Sequence, residues 1–152
     1  MLKILYKNGC IDGNTFELDP DIYLGQDALE ASDNEEVQAL VAGRLATIGT
    51  DGYVELADGN PLGVIVNDAE GRDLYNKPAL ASGKVPVMFG GGLVETDQVV
   101  EDNIAIGDKL YCGTGDNKGL WTKTASDGAE VIGVAVSANS ASDKTVKIQS
   151  RV

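Results

Sequence analysis

Glycine spacing constrains this chain more than any other feature. From Gly43 onward, glycine or an Asp-Gly pair interrupts the sequence every eight to twelve residues. No long helical pattern survives such breaks, and the segments between them read as short strands joined by tight turns. Strands are expected at 44–48, 53–56, 62–66, 84–89, 110–112, 120–124, 130–136 and 145–148. In the second of these, Tyr53 and Glu55 fall on one face and Val54 and Leu56 on the other. Gly49-Thr-Asp-Gly52 and Asp58-Gly59-Asn60-Pro61 supply turns. Pro86 lacks an N–H and places its strand at an edge or a bulge; Gly90-Gly91-Gly92 ends that strand.

The pattern repeats. Gly43-Arg-Leu45 leads through Asp51-Gly52 and Asp58-Gly59 to Gly63-Val-Ile-Val66. Gly107-Asp-Lys-Leu110 leads through a glycine loop and Asp127-Gly128 to Gly133-Val-Ala-Val136. The fold expected is therefore all-β, a small glycine-rich β-barrel or β-sandwich with two related halves. With 152 residues and 43% hydrophobic side chains, a chain of this size buries enough surface to stand without a metal or disulfide staple.

The start differs. No basic residue lies between Lys7 and Arg44, while nine acids do. Residues 1–36 are expected to form an acidic N-terminal arm, and residues 37–152 the compact β domain. Leu2 to Tyr6 fit one short strand within the arm. Ser32-Asp-Asn-Glu35 matches a capping box. Residues 37–42 then fit either a short helix ending at Gly43 or the first strand of the domain.

Twelve basic residues against twenty-four acidic ones give a net charge of −12. Such a surface repels phosphate backbones and anionic lipid, so neither nucleic acid nor a membrane is the expected partner. No stretch nears the roughly 20 apolar residues of a membrane helix, and the charged start is unlike a signal peptide. Folding in a cytoplasm is expected. The cysteines, Cys10 and Cys112, permit one disulfide but do not form a disulfide framework.

The chain has no histidine, which removes the commonest general base and the histidine-dependent nucleophile systems. Phosphate-cradling and dinucleotide-binding motifs are missing as well. Most carboxylates sit beside turn glycines, where aspartate caps its own backbone. Asp68, Glu70, Asp73, Asp51, Asp58 and Asp116 offer hard oxygen ligands, but none follows the twelve-residue calcium loop. No catalytic residue, metal site or cofactor is expected. Trp121, the only tryptophan, fits an interface anchor as well as a core position. Tyr6 and Tyr23 in the arm suggest docking on a neighbouring surface.

The order Val41-Ala-Gly43-Arg-Leu45, Asp51-Gly52, Gly63-Val-Ile-Val66, Gly107-Asp-Lys-Leu-Tyr111 and Ile132-Gly-Val-Ala-Val136, closing on Lys144-Thr-Val-Lys-Ile148, resembles the decoration (cement) proteins of tailed-phage capsids. The likeness spans about three quarters of the chain and rests on turn and strand patterns; the long acidic leader departs from it. The resemblance implies a compact β domain without catalytic residues, assembled as a homotrimer. It would bind the major capsid protein on the outer capsid surface of the virion, after synthesis in a bacterial cytoplasm. On that reading Leu2, Ile4 and Tyr6 pair as an added strand, Lys3 and Lys7 face capsid carboxylates, and Tyr23 and Trp121 complete the contact. The competing readings are a virion-displayed or fibre-associated glycan-binding module, a two-carboxylate enzyme, and an internal virion or tail component.

Overall fold

The computed structural model describes residues 2–6, 13–17, 40–68 and 84–152. Within them the chain is all-β, apart from one 3-10 turn at Gly115–Asn117. The strands are β1 (Leu2–Tyr6), β2 (Gly13–Glu17), β3 (Leu45–Ile48), β4 (Val54–Leu56), β5 (Gly63–Ile65), β6 (Lys84–Met88), β7 (Gly92–Thr96), β8 (Lys109–Cys112), β9 (Trp121–Thr122), β10 (Gly133–Ala135) and β11 (Val146–Ser150). One sheet runs β1-β7-β11-β10-β8-β9 and the other β2-β6-β5-β3-β4, with every strand pair antiparallel.

These orders are the same unit written twice. Strands β2 to β6 occur as 2-6-5-3-4 and strands β7 to β11 as 7-11-10-8-9, with β1 added outside β7. The hydrogen bonds repeat too. Gly43 N–H donates to Ile65 O at 2.9 Å, and Gly107 N–H to Ala135 O at 2.8 Å. Ile65 and Ala135 donate back to Arg44 O and Asp108 O, both at 2.9 Å. Leu62 to Ala46 matches Ile132 to Leu110, Val66 to Pro86 matches Val136 to Lys147, and Gly49 to Tyr53 matches Gly113 to Leu120. Gly43 and Gly107, with φ of 95° and 92°, lead into the equivalent strands β3 and β8 in the left-handed region that suits glycine.

The units pack in series. On the second sheet Leu45, Val64 and Met88 share one face through direct cross-strand pairing. They are buried in one cluster with Val94, Leu110, Trp121, Ala135, Val146 and Ile148 of the first sheet. The opposite face of the second sheet, with Ala46, Val54, Leu56, Ile65, Val85 and Val87, forms a core of its own with Leu40, and Phe16 and Ile48 pack against it. That sheet is thus apolar on both sides, which is why Gly63–Ile65 is buried at all three positions. In the other sheet β11 alternates, buried at Val146, Ile148 and Ser150 and exposed at Lys147 and Gln149. The turn from Gly113 to Leu120 is longer than its counterpart from Gly49 to Tyr53 and reaches into the joint: Leu45 N–H donates to Gly119 O and Gly119 N–H to Ala57 O, both at 2.8 Å.

Several expectations need correction. Pro86 lies in β6, an interior strand rather than an edge. Its C=O accepts from Val66 N–H at 2.9 Å, one residue beyond the end of β5. The missing N–H faces the same residue, Val66, at the very end of that pairing, so the proline removes one terminal donor and leaves the rest of the ladder intact. Gly90-Gly91-Gly92 does not simply end a strand. Gly90 and Gly91, with φ of 84° and 79°, turn the chain from one sheet to the other, and Gly92 begins β7. Gly13 and Asn14, within the stretch expected to be an arm, pair with Met88 and Val87 as part of β2. Leu40 to Ala42 is neither helix nor strand: Arg44 N–H donates to Val41 O at 3.2 Å and closes a turn into Gly43. The expected boundary between residues 36 and 37 lies outside the described residues, but β1 and β2, on the leader side of it, are each paired into a sheet.

Candidate interaction surface

Trp121 is fully buried, so it offers no surface and cannot anchor a partner. It packs in the shared core, and its indole Nε1 donates to Gly43 O at 3.0 Å across the joint between the units. Leu2, Lys3, Ile4 and Tyr6 lie in β1, opposite Thr96, Glu95, Val94 and Leu93 of β7, with a register shift between Ile4 and Tyr6. An added strand is thus formed, within the chain itself. Lys7 and Tyr23 lie outside the described residues.

Alternation gives the first sheet an outward face. Two cross-strand rows cross it. In one, Lys109 pairs with Val134, Val134 with Gln149, and Gln149 with Leu93. In the other, Val136 N–H donates to Lys147 O, and Lys147 pairs with Glu95, its Nζ lying 3.8 Å from the Glu95 carboxylate. Ile106 precedes Gly107, whose N–H is bonded to Ala135 O, so Ile106 sits beside Val136. Ile106 is 72% exposed and Val136 43%. Next to Lys109, an open depression of about 300 Å³ is lined by Gly107, Asp108, Lys109, Tyr111 and Lys123. This surface combines exposed apolar side chains with lysines and the carboxylates of Glu95 and Asp108, so it is far less anionic than the protein as a whole. Sequence reasoning missed it, because Lys109, Lys147, Ile106 and Val136 come together only once β8, β10 and β11 are paired.

Behind this face a polar network fixes the 101–104 loop. Glu101 accepts from Thr122 Oγ1 at 2.6 Å, Thr124 Oγ1 at 3.0 Å and Lys123 N–H at 3.1 Å. Asn139 donates to Glu101 O at 2.9 Å and accepts from Ile104 N–H at 2.7 Å. Partial burial alone would raise the Glu101 carboxyl. The hydrogen bonds from Thr122, Lys123 and Thr124 together outweigh it and hold the group below its ordinary 4.5. Its stabilising effect is therefore present above that value and lost as pH falls through the lower, folded one. Glu101→Gln keeps one acceptor oxygen and turns a donor amide toward donors. We expect a loss of about 1 kcal/mol at neutral pH. Urea unfolding of both proteins across the acid range should show the gap closing below pH 4.5.

The other carboxylates named from sequence serve turns. Asp51 accepts from Tyr53 N–H at 3.0 Å, Asp58 from Gly115 N–H at 3.1 Å and Asp68 from Ala42 N–H at 2.6 Å. Glu70 and Asp73 lie outside the described residues. Among the described residues no group of three or more histidine, cysteine, aspartate or glutamate side chains could hold a metal ion, and no helix is long and apolar enough to cross a membrane. Cys112 is free and buried, and burial raises its thiol above the ordinary value. Its Sγ lies 3.4 Å from Ala57 O. No protein-family model matches the chain, and no curated protein matches it.

Proposed function

We propose that this chain is a structural virion protein of the decoration type, binding as a homotrimer to the outer surface of an expanded tailed-phage capsid. The observation that carries the reading is the outward face of the first sheet, where Ile106 is 72% exposed beside Val136, on the face that also carries Lys109 and the Lys147–Glu95 pair. A surface that holds apolar side chains in water beside localised charge suits protein–protein contact, here the contact between protomers on which a homotrimer depends. The motifs that carry the resemblance support the reading in a second way, since they fall on equivalent strands, β3 and β5 in one unit and β8 and β10 in the other. The described polar groups with specific partners, Glu101, Asn139, Asp51 and Asp58, stiffen loops, as a purely mechanical protein requires.

The mechanism is linkage. A protein that binds the expanded lattice and not the unexpanded one stabilises the former by RT ln(1 + [L]/Kd), about 2.7 kcal/mol per site at a hundredfold excess over Kd. A trimer that touches several capsid subunits gains further through effective concentration. Co-sedimentation with purified shells of the source phage tests this. Binding to expanded shells alone, saturating near one trimer per local three-fold site, is the expected result. Binding to neither form would overturn the reading and move glycan attachment to the front.

A further inference from the structure

The repeat allows each unit to be compared with the other, position by position. Leu45, Val64 and Met88 of the first unit are buried against the second. By register their equivalents are Lys109, Val134 and Gln149. Ala42 and Val66 correspond in the same way to Ile106 and Val136, and Val66 packs against the shared core. The face by which the first unit docks therefore recurs on the second unit, uncovered. It keeps apolar residues at Val134, Val136 and Ile106 and has acquired Lys109. Lys109, Lys147 and Lys123 outnumber Glu95 and Asp108 on and beside it, so it suits an acidic counterpart.

The chain carries such a counterpart. Three large apolar side chains are exposed among the described residues: Ile106, Val136 and, at 39%, Leu62. Leu62 N–H is bonded to Ala46 O, and the next residue, Thr47, pairs with Glu55. Leu62 thus belongs to a row that ends on a carboxylate. Exposed Asp51 lies beside Glu55 in the turn after β3, and exposed Asp58, four residues before Leu62, accepts from Gly115 N–H, which brings exposed Asp116 close to it. Two copies at net charge −12 repel as wholes, so an association between them has to be organised where cations meet acids.

We propose that the Lys109–Val136–Lys147 face of one protomer docks on the Leu62–Glu55 end of the next. The contact joins different surfaces of two identical chains, so it closes into a ring when the rotation permits. The inference rests on the decoration reading only in taking the closed ring to be the trimer.

Sedimentation velocity of the full chain tests it. The wild type should associate, and added salt should weaken that association. Lys109→Glu with Lys147→Glu places like charges together and should weaken association by roughly tenfold or more. Glu55→Lys with Asp116→Lys should do the same. The chain carrying all four substitutions should recover association, because the exchanged charges make every contact of the ring complementary again. That recovery cannot come from a folding defect. A monomeric wild type, or variants that associate as the wild type does, would overturn the proposal. So would monomeric chains whose shell binding alone is lost through Lys109→Glu, which would assign the face to the capsid. Shell co-sedimentation is read separately, so the interface and the function can fail independently.

Discussion

Trp121→Ala is expected to cost about 3–5 kcal/mol, the range for removing a large buried aromatic side chain. The site explains why the full range applies. Trp121 is 0% exposed and shares its cluster with Leu45, Val64 and Met88 of one unit and Leu110, Val146 and Ile148 of the other. Its backbone is tied on the far side as well, accepting from Val100 N–H at 2.9 Å and donating to Gln98 O at 3.0 Å. The walls are β strands held on both sides, so the cavity cannot collapse. The Gly43 carbonyl also loses its indole donor, and a buried acceptor left unpaired costs about 1–3 kcal/mol by itself. Trp121→Phe is expected to cost less, since it keeps one aromatic ring in the core while losing the indole N–H and the rest of the bicycle. Domains are typically stable by about 5–15 kcal/mol; Trp121→Ala therefore takes a large fraction. Urea midpoints of the three proteins measure it. A loss below about 1 kcal/mol for the alanine variant would mean that the two units do not share this core.

The all-β class and the two related halves were legible because glycine spacing is a local signal. Gly43, Gly63, Gly107 and Gly133 each occupy a position where the backbone needs glycine, and each appears in the motif that revealed the repeat. Strand β11 was legible for a similar reason: one face is buried and one is wet, so its sequence alternates. The missed strands had no such mark. Gly13-Asn-Thr-Phe-Glu17 has poor strand propensity and is extended because it pairs with β6, a tertiary effect that propensity cannot register. Gly92–Thr96 was hidden behind three glycines of which only two make the turn.

The candidate surface was harder still. Setting Gly43-Arg-Leu45 beside Gly107-Asp-Lys-Leu110 matches Leu45 with Leu110. The hydrogen bonds instead put Leu45 level with Lys109, a slip of one residue that moves a side chain to the opposite face of the sheet. Only with the true register does a buried leucine in one unit correspond to an exposed lysine in the other. Trp121 could not be assigned from sequence because its environment is made by Gly43 and Leu45, over seventy residues away.

The register makes a second large prediction. Gly63 and Gly133 are equivalent, and both lie where a neighbouring strand comes too close for a side chain. A Cβ at Gly63 would overlap the carbonyl oxygen of Met88 and lie 3.0 Å from Val87 Cγ1. At Gly133 it would meet Ile148 Cγ2 at 2.8 Å, Trp121 Cζ3 at 3.0 Å and, less severely, Gln149 O at 3.3 Å. Met88 and Val87 are the counterparts of Gln149 and Ile148, so one close approach recurs in both halves. The difference lies in what can yield. At Gly133 the two closest atoms, Ile148 Cγ2 and Trp121 Cζ3, belong to side chains that relieve the contact by shifting a few tenths of an ångström, whereas the Met88 carbonyl belongs to a strand fixed between β2 and β5. Gly63→Ala is therefore expected to cost about 3 kcal/mol or more, the upper end of overpacking, and Gly133→Ala about 1–2 kcal/mol. Denaturant unfolding of both variants reads the pair. Equal, small losses would show that β5 and β6 do not pair with Val64 opposite Met88 and Ile65 opposite Val87, and the correspondence between Leu45 and Lys109 would fall with that register.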